Sequence, residues 1–120
     1  MIGHVDRDRR ALLPVAVLPR LKEKSVLVES WIDTAFDGHF VFPSTLVEEL
    51  GLDTLVETDA ILADGTKVTL ETFVAYLDWF GEIIPVQVVS NDGQHPLLGT
   101  ALLQERHLVI DYRKRTVELS

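Results

Sequence analysis

The dipeptide Asp64-Gly65 stands between two β-rich runs, Leu55–Ala63 and Thr66–Tyr76. Asp-Gly supplies the positive φ angles of a tight turn, and between such runs it is the strongest short-range signal for a β-hairpin. The segments around it read the same way. Ile2–Arg7 is a possible first strand, with a turn over the charged residues 8–10. Ala11–Leu18 is short and β-branched, and its Pro14 points to a sheet edge, since proline cannot donate to a ladder. A charged connection over Pro19–Lys24 leads to the partly alternating Ser25–Ile32, and His39–Phe42 is another apolar strand. Phe73–Trp79 and Ile83–Val89 form a second hairpin around Phe80-Gly81-Glu82. Leu108–Tyr112 and Thr116–Leu119 form a last one around Arg113-Lys114-Arg115.

Two short helices are expected among these strands. One opens at Pro43-Ser44-Thr45 with Ser44 as N-cap, Leu46, Val47 and Leu50 on one face, and Gly51 as its stop. The other lies within Leu97–Gln104, which follows a polar loop over Ser90–Pro96, begins with an apolar pair and a Gly, and then reads as one short helix. The fold class is all-β, mainly β with one or two short helices. At 120 residues and 47% hydrophobic, the chain suffices for one core, so residues 1–120 are read as a single domain.

Charge and cysteine content exclude several functions. Eleven Lys and Arg against nineteen Asp and Glu leave a net charge of -8. Phosphate neutralisation needs surplus cations, so a nucleic-acid partner is not expected, nor is an anionic membrane surface. With no cysteine there is neither thiol catalysis nor a zinc–cysteine cluster. His4, His39, His95 and His107 show no metal-ligand spacing and read as surface or turn residues, so no metal and no cofactor are expected. The opening MIGHVDRDRR is charged where a signal peptide needs an apolar centre, and no apolar run approaches a membrane span. The expected compartment is the cytoplasm.

The strongest chemical feature is Trp31-Ile32-Asp33-Thr34-Ala35. It places a carboxylate where an apolar strand opens into a turn, which fixes its position and partly desolvates it, as a catalytic acid or base requires. On these residues alone, an Asp-Thr pair that merely satisfies turn amides is the plainer reading. Trp31 and Trp79-Phe80 read as core or strand-end packing.

The triplet Asp33-Thr34-Ala35 resembles the Asp-Thr/Ser-Gly motif of aspartic proteases. Leu97-Leu98-Gly99 resembles the hydrophobic-hydrophobic-Gly motif that precedes their C-terminal helix. In this order, with the Phe40–Phe42 strand and the Asp64-Gly65 hairpin between them, the motifs are similar to single-domain retropepsin-like proteases of the bacterial branch. The likeness covers residues 11–119. It implies a retropepsin-like acid-protease half-barrel with Asp33 as catalytic residue, and Thr34 and Ala35 supporting the active-site loop. It further implies Ala63, Asp64 and Gly65 as the tip of a flap over a peptide or protein substrate. The family's third triplet residue is Gly, and Ala35 departs from it.

This chemistry needs two aspartates sharing one proton, and only one such triplet is present. A two-fold homodimer is therefore implied, with the terminal strands near Ile2–Asp6 and Thr116–Leu119 as its expected shared sheet. The alternative is a catalytically weak or inactive peptide-binding or scaffold module on the same fold.

Overall fold

Along β2 (Ala11–Leu18), Ala11, Leu13, Val15 and Val17 are buried, while Pro14, Ala16 and Leu18 are only partly covered. The same period of two runs through β3 (Val26–Ile32), which turns Val28, Ser30 and Ile32 inward and Leu27 and Glu29 outward. Such alternation suits a sheet with one face on a core. The computed structural model describes residues 1–61 and 63–120, and among these the side chains other than those of 58–61 and 68–70.

The remaining elements are β1 (Ile2–Val5), β4 (Phe40–Pro43), α1 (Ser44–Leu50), β5 (Asp53–Ile61), β6 (Lys67–Trp79), β7 (Glu82–Asn91), β8 (Leu97–Leu98), a 3-10 turn at Thr100–Leu102, β9 (Leu108–Asp111) and β10 (Thr116–Leu119). Their order in the sheet is β5-β6-β7-β4-β8-β3-β2-β1-β10-β9, and β6 also pairs with β2. That extra pairing folds the sheet back on itself into the expected half-barrel. Its interior holds Phe40 and Phe42, whose ring centroids are 5.1 Å apart, with Leu13, Val15, Leu77, Val88, Leu98 and Val117 around them.

Turn chemistry accounts for the hairpins. Phe80 and Gly81 both take positive φ between the paired residues Trp79 and Glu82, as a two-residue primed turn requires. Asp64 Oδ1 accepts the Thr66 N–H at 2.9 Å, closing the β5–β6 turn. The expected strand Leu55–Ala63 includes Leu62, which lies outside the described residues.

Three expectations are corrected. Pro14 is not at an edge: β2 is interior, with Pro14 opposite Glu29 of β3. On its other side β2 pairs with β1 through Ala11 and Leu12 and with β6 through Ala16–Leu18. Pro14 falls between these two stretches, where a missing N–H interrupts no ladder on that side.

Ser44 is not the N-cap. Pro43 holds that place with no side-chain cap, and the Ser44 hydroxyl instead donates to the Asn91 carbonyl at 2.9 Å and lies 3.0 Å from Ser90 Oγ. The hydroxyl thereby ties the helix to β7. Gly51 does end α1, at φ 63°, with its N–H on the Glu48 carbonyl.

The helix expected after Gly99 is reduced to one turn. Leu97 and Leu98 are drawn into the sheet as β8, and only the single turn at Thr100–Leu102 is helical. The terminal strands β1 and β10 pair with each other, Gly3 opposite Val117.

The Ser30 hydroxyl is fully buried and has no hydrogen-bond partner among the described residues. An unmet buried hydroxyl costs roughly 1–3 kcal/mol. Ser30→Ala is therefore expected to raise unfolding stability by about 1 kcal/mol, measured by urea titration; an unchanged or lowered midpoint would show that the hydroxyl is satisfied.

Candidate active site

Asp33 follows β3 directly and opens the loop that leads to β4. Its N–H donates to the Leu98 carbonyl at 2.9 Å, and its carbonyl accepts the Phe36 N–H at 3.3 Å. Its carboxylate is held as well: Oδ1 accepts the Ala35 N–H at 3.0 Å. This local turn leaves Oδ2 without a partner among the described residues. Asp33 is partly buried, and Thr34 and Ala35 are exposed.

The loop is clasped by the later segment. β8 enters between β3 and β4, parallel to the first and antiparallel to the second. Trp31 N–H donates to the Pro96 carbonyl at 2.8 Å and Gly99 N–H to the His39 carbonyl at 2.8 Å. The Thr100 N–H reaches the Phe36 carbonyl at 2.8 Å, and Ala101 N–H the Gly38 carbonyl at 3.3 Å. The Thr100 hydroxyl adds a second bond to Phe36 O.

Gly99 is required here by space. A Cβ on it would overlap the Gly38 carbonyl oxygen and lie 2.5 Å from the Phe36 ring. Leu97, Leu98 and Gly99 thus act from behind the loop, with Leu98 fully buried.

Trp31, Ile32, Asp33, Thr34, Ala35 and Leu97 line an open cleft of roughly 420 Å³. Trp31 stands two residues before Asp33 and so shares its side of the strand. The indole is flanked by the Arg10 guanidinium, 5.7 Å from its ring centre, and by the His95 ring, 6.0 Å away and edge-on. Arg10 in turn bonds Asp6 Oδ2 at 2.8 Å, Asp8 Oδ2 at 3.1 Å and His95 Nε2 at 2.6 Å. Bonds from Arg10 lower the Asp6 pKa, the Arg10 backbone N–H foremost.

Trp31 is therefore not incidental packing but lines the cleft, and His95 packs edge-on against its indole. The two-residue spacing from Asp33 marks Trp31 in the sequence, whereas nothing local points to Arg10 or His95. Ala63, Asp64 and Gly65 form the β5–β6 turn, exposed and not among the cleft's lining residues. Hydrogen bonds with Thr66, its side chain first, lower the Asp64 pKa.

Ala35 is not among the non-glycine residues with positive φ, which among the described residues are Arg9, Lys22, Phe80, Glu105 and Arg115. Its backbone therefore does not demand glycine. His39 is also not a plain surface residue. It is half-buried, its Nδ1 accepts the Gln87 N–H at 2.9 Å, and burial lowers its pKa.

No protein-family model and no curated protein matches the sequence. Solved structures do match. A retropepsin-like aspartic protease from Rickettsia conorii aligns with a TM-score of 0.71 and 19% identity, over 99% of this chain and 88% of that one. The EIAV protease complexed with the inhibitor HBY-793 aligns at 0.57 and 16%, over 83% and 90%. The retroviral protease-like domain of Ddi1 from Leishmania major aligns at 0.54 and 14%, over 92% and 88%. The chain has the retropepsin-like fold. Among the described residues, no helix is long and apolar enough to cross a membrane.

Gly99→Ala is expected to cost about 1–3 kcal/mol or more, because the methyl group meets backbone rather than a movable side chain. Chemical denaturation measures it, and a loss below about 0.5 kcal/mol would mean that the clasp can shift.

His39 makes a pH prediction with a definite sign. Its folded pKa lies below the ordinary 6.5, so its stabilisation is complete above that value and is lost as pH falls through the folded pKa. His39→Asn keeps an acceptor for Gln87 but cannot titrate. Its stability should fall less than the wild type's as pH drops below 6.5; parallel curves would refute the assignment.

Proposed function

We propose that the chain is an aspartic endopeptidase, hydrolysing peptide bonds with a water held between two Asp33 carboxylates, one from each copy of a homodimer. The observation that carries this reading is the fastened Asp33 at the floor of an open cleft, on a retropepsin-like fold that supplies one such carboxylate per chain. Two carboxylates about 3 Å apart share one proton. The ionised one takes a proton from the water, whose oxygen attacks the scissile carbonyl carbon. The protonated one donates to the carbonyl oxygen as negative charge develops there. The carboxyl that took the water's proton then gives it to the nitrogen, the C–N bond breaks to release the amine, and the other carboxylate recovers its proton as the carbonyl re-forms.

The turn bond from Ala35 N–H to Asp33 Oδ1 holds the carboxylate in one rotamer, so no reorientation precedes proton transfer. Thr34, next to it and exposed, would link the two loops across the axis. The substrate would lie extended and gain strand-type hydrogen bonds, with Ala63, Asp64 and Gly65 closing over it as the flap tip. Trp31 and Leu97 offer apolar walls beside Asp33, which suits an apolar side chain next to the scissile bond. The exposed, unstrained Ala35 supports catalysis over a binding-only module, since the departure from glycine forces no strain on the loop.

Cleavage of a mixed peptide library, read by mass spectrometry, tests the proposal. Activity is expected to be highest at mildly acidic pH, because the dyad titrates as a coupled pair, and to be insensitive to chelators. Asp33→Asn should lose at least about 10²–10⁴-fold. Ala35→Gly should leave the rate nearly unchanged while costing roughly 0.5–1 kcal/mol of stability. Chelator-sensitive cleavage, or full activity in Asp33→Asn, would sink the mechanism.

A further inference from the structure

The chain is acidic as a whole, but its cations are unevenly placed. Five of its eleven Lys and Arg, namely Arg7, Arg9, Arg113, Lys114 and Arg115, lie in two turns, residues 6–10 between β1 and β2 and residues 112–115 between β9 and β10. The two turns leave the same end of the sheet side by side. His4 is opposite Thr116 and Val5 opposite Ala11, and the Val5 N–H donates to the Arg115 carbonyl at 3.1 Å.

Carboxylates within and beside the turns are engaged elsewhere. Asp6 and Asp8 bond Arg10, and Asp111 Oδ1 accepts the Arg113 and Lys114 N–H groups at 2.9 Å, holding the second turn. All five cationic residues are exposed, and none forms an ion pair among the described residues. Like charges so grouped repel one another, and an anionic partner relieves that repulsion. Arg9 and Arg115 also take positive φ, 65° and 58°, where glycine or asparagine is easier. Turn geometry does not call for arginine at either place; the charge is what it adds.

This patch adjoins the cleft. Arg10 ends the first turn and lies over Trp31, which lines the cleft with Asp33. Arg9 and Arg7 are one and three residues before Arg10, within about 4 and 11 Å of it along the chain. An extended peptide advances about 3.3 Å per residue. One lying in the cleft therefore comes abreast of the patch roughly four to six residues from its scissile bond.

We propose that these two turns bind an acidic segment of a protein substrate, with Asp or Glu about four to six positions from the bond cleaved. The inference rests on the protease reading of the Asp33 cleft and names the substrate class for it. In a two-fold pair each half of the substrate meets one patch. A bilayer or a nucleic acid fits less well, because either presents a broad anionic face. Outside these turns the chain repels such a face, its remaining cations standing against nineteen Asp and Glu.

The binding test uses the full chain carrying Asp33→Asn and two fluorescein-labelled peptides with the same apolar centre. One carries Glu about four to six positions to either side, the other Gln at the same places. Fluorescence anisotropy should show the Glu peptide bound at least about tenfold more tightly, through several exposed charge pairs acting together. The margin should vanish near about 1 M salt, where the Debye length is about 3 Å. Arg7→Glu, Arg113→Glu and Lys114→Glu combined should abolish it while leaving the circular dichroism spectrum native. Should that variant fail to fold, Arg9→Asn with Arg115→Asn removes two charges where the backbone favours asparagine. The margin should then fall at least about threefold with no loss of unfolding stability. In the wild type, the preference for Glu should lie in KM, with kcat unchanged.

Equal affinity for the Glu and Gln peptides, no binding of either, or a margin kept in both charge variants would overturn the proposal. So would capture by phosphatidylserine vesicles or a DNA duplex, lost on charge reversal, without a preference for Glu. Charge-dependent binding of the Glu peptide by a wild type that cleaves nothing would leave the patch standing and remove only the protease reading. Cleavage indifferent to Glu would do the reverse.

Discussion

The candidate site depends on a short clasp in which residues 96–101 hold the loop that carries Asp33. β8 supplies only two residues to the sheet, yet it separates β3 from β4 and bonds both. Backbone bonds from Trp31 and Asp33 to the later segment, and from Gly99, Thr100 and Ala101 back to the loop, leave that loop little freedom. A catalytic carboxylate placed on a loop gains from such support, since small displacements at a reacting centre are costly. The tightness of the clasp explains its glycine: the backbone at Gly99 passes so close to Gly38 and Phe36 that no Cβ fits.

Rigid support from behind contrasts with openness in front. Thr34 and Ala35 are exposed, and the cleft beside Asp33 is open to solvent. One chain therefore presents a positioned acid but not the second carboxylate that would share its proton.

The wall of the cleft joins distant charged groups. Arg10 is held by Asp6 and Asp8, lies over Trp31 and touches His95. Its charge is thereby balanced while its guanidinium packs against the indole, so the wall stays apolar toward the cleft. His39 performs a comparable task on the other side of the loop, where a neutral ring accepting the Gln87 N–H anchors the approach to β4 on β7. Acid works against this anchor, because burial disfavours the protonated ring.

Local chemistry determined much of the structure. The period of two along β2 and β3, the Asp64-Gly65 and Phe80-Gly81 turns, the Gly51 stop and the place of Asp33 at a strand end all follow from neighbours a few residues apart, and all stand in the sequence. The tertiary structure decided the rest. Leu97-Leu98 joins the sheet rather than a helix because β3 and β4 offer it ladder partners on both sides. Pro14 sits inside the sheet because β2 changes neighbours at that point. Arg10 and His95 meet beside Trp31 although they are 85 positions apart, and β10 closes on β1. These outcomes depend on which distant segments share a ladder, and backbone pairing between distant strands leaves no periodic mark on the residues that make it.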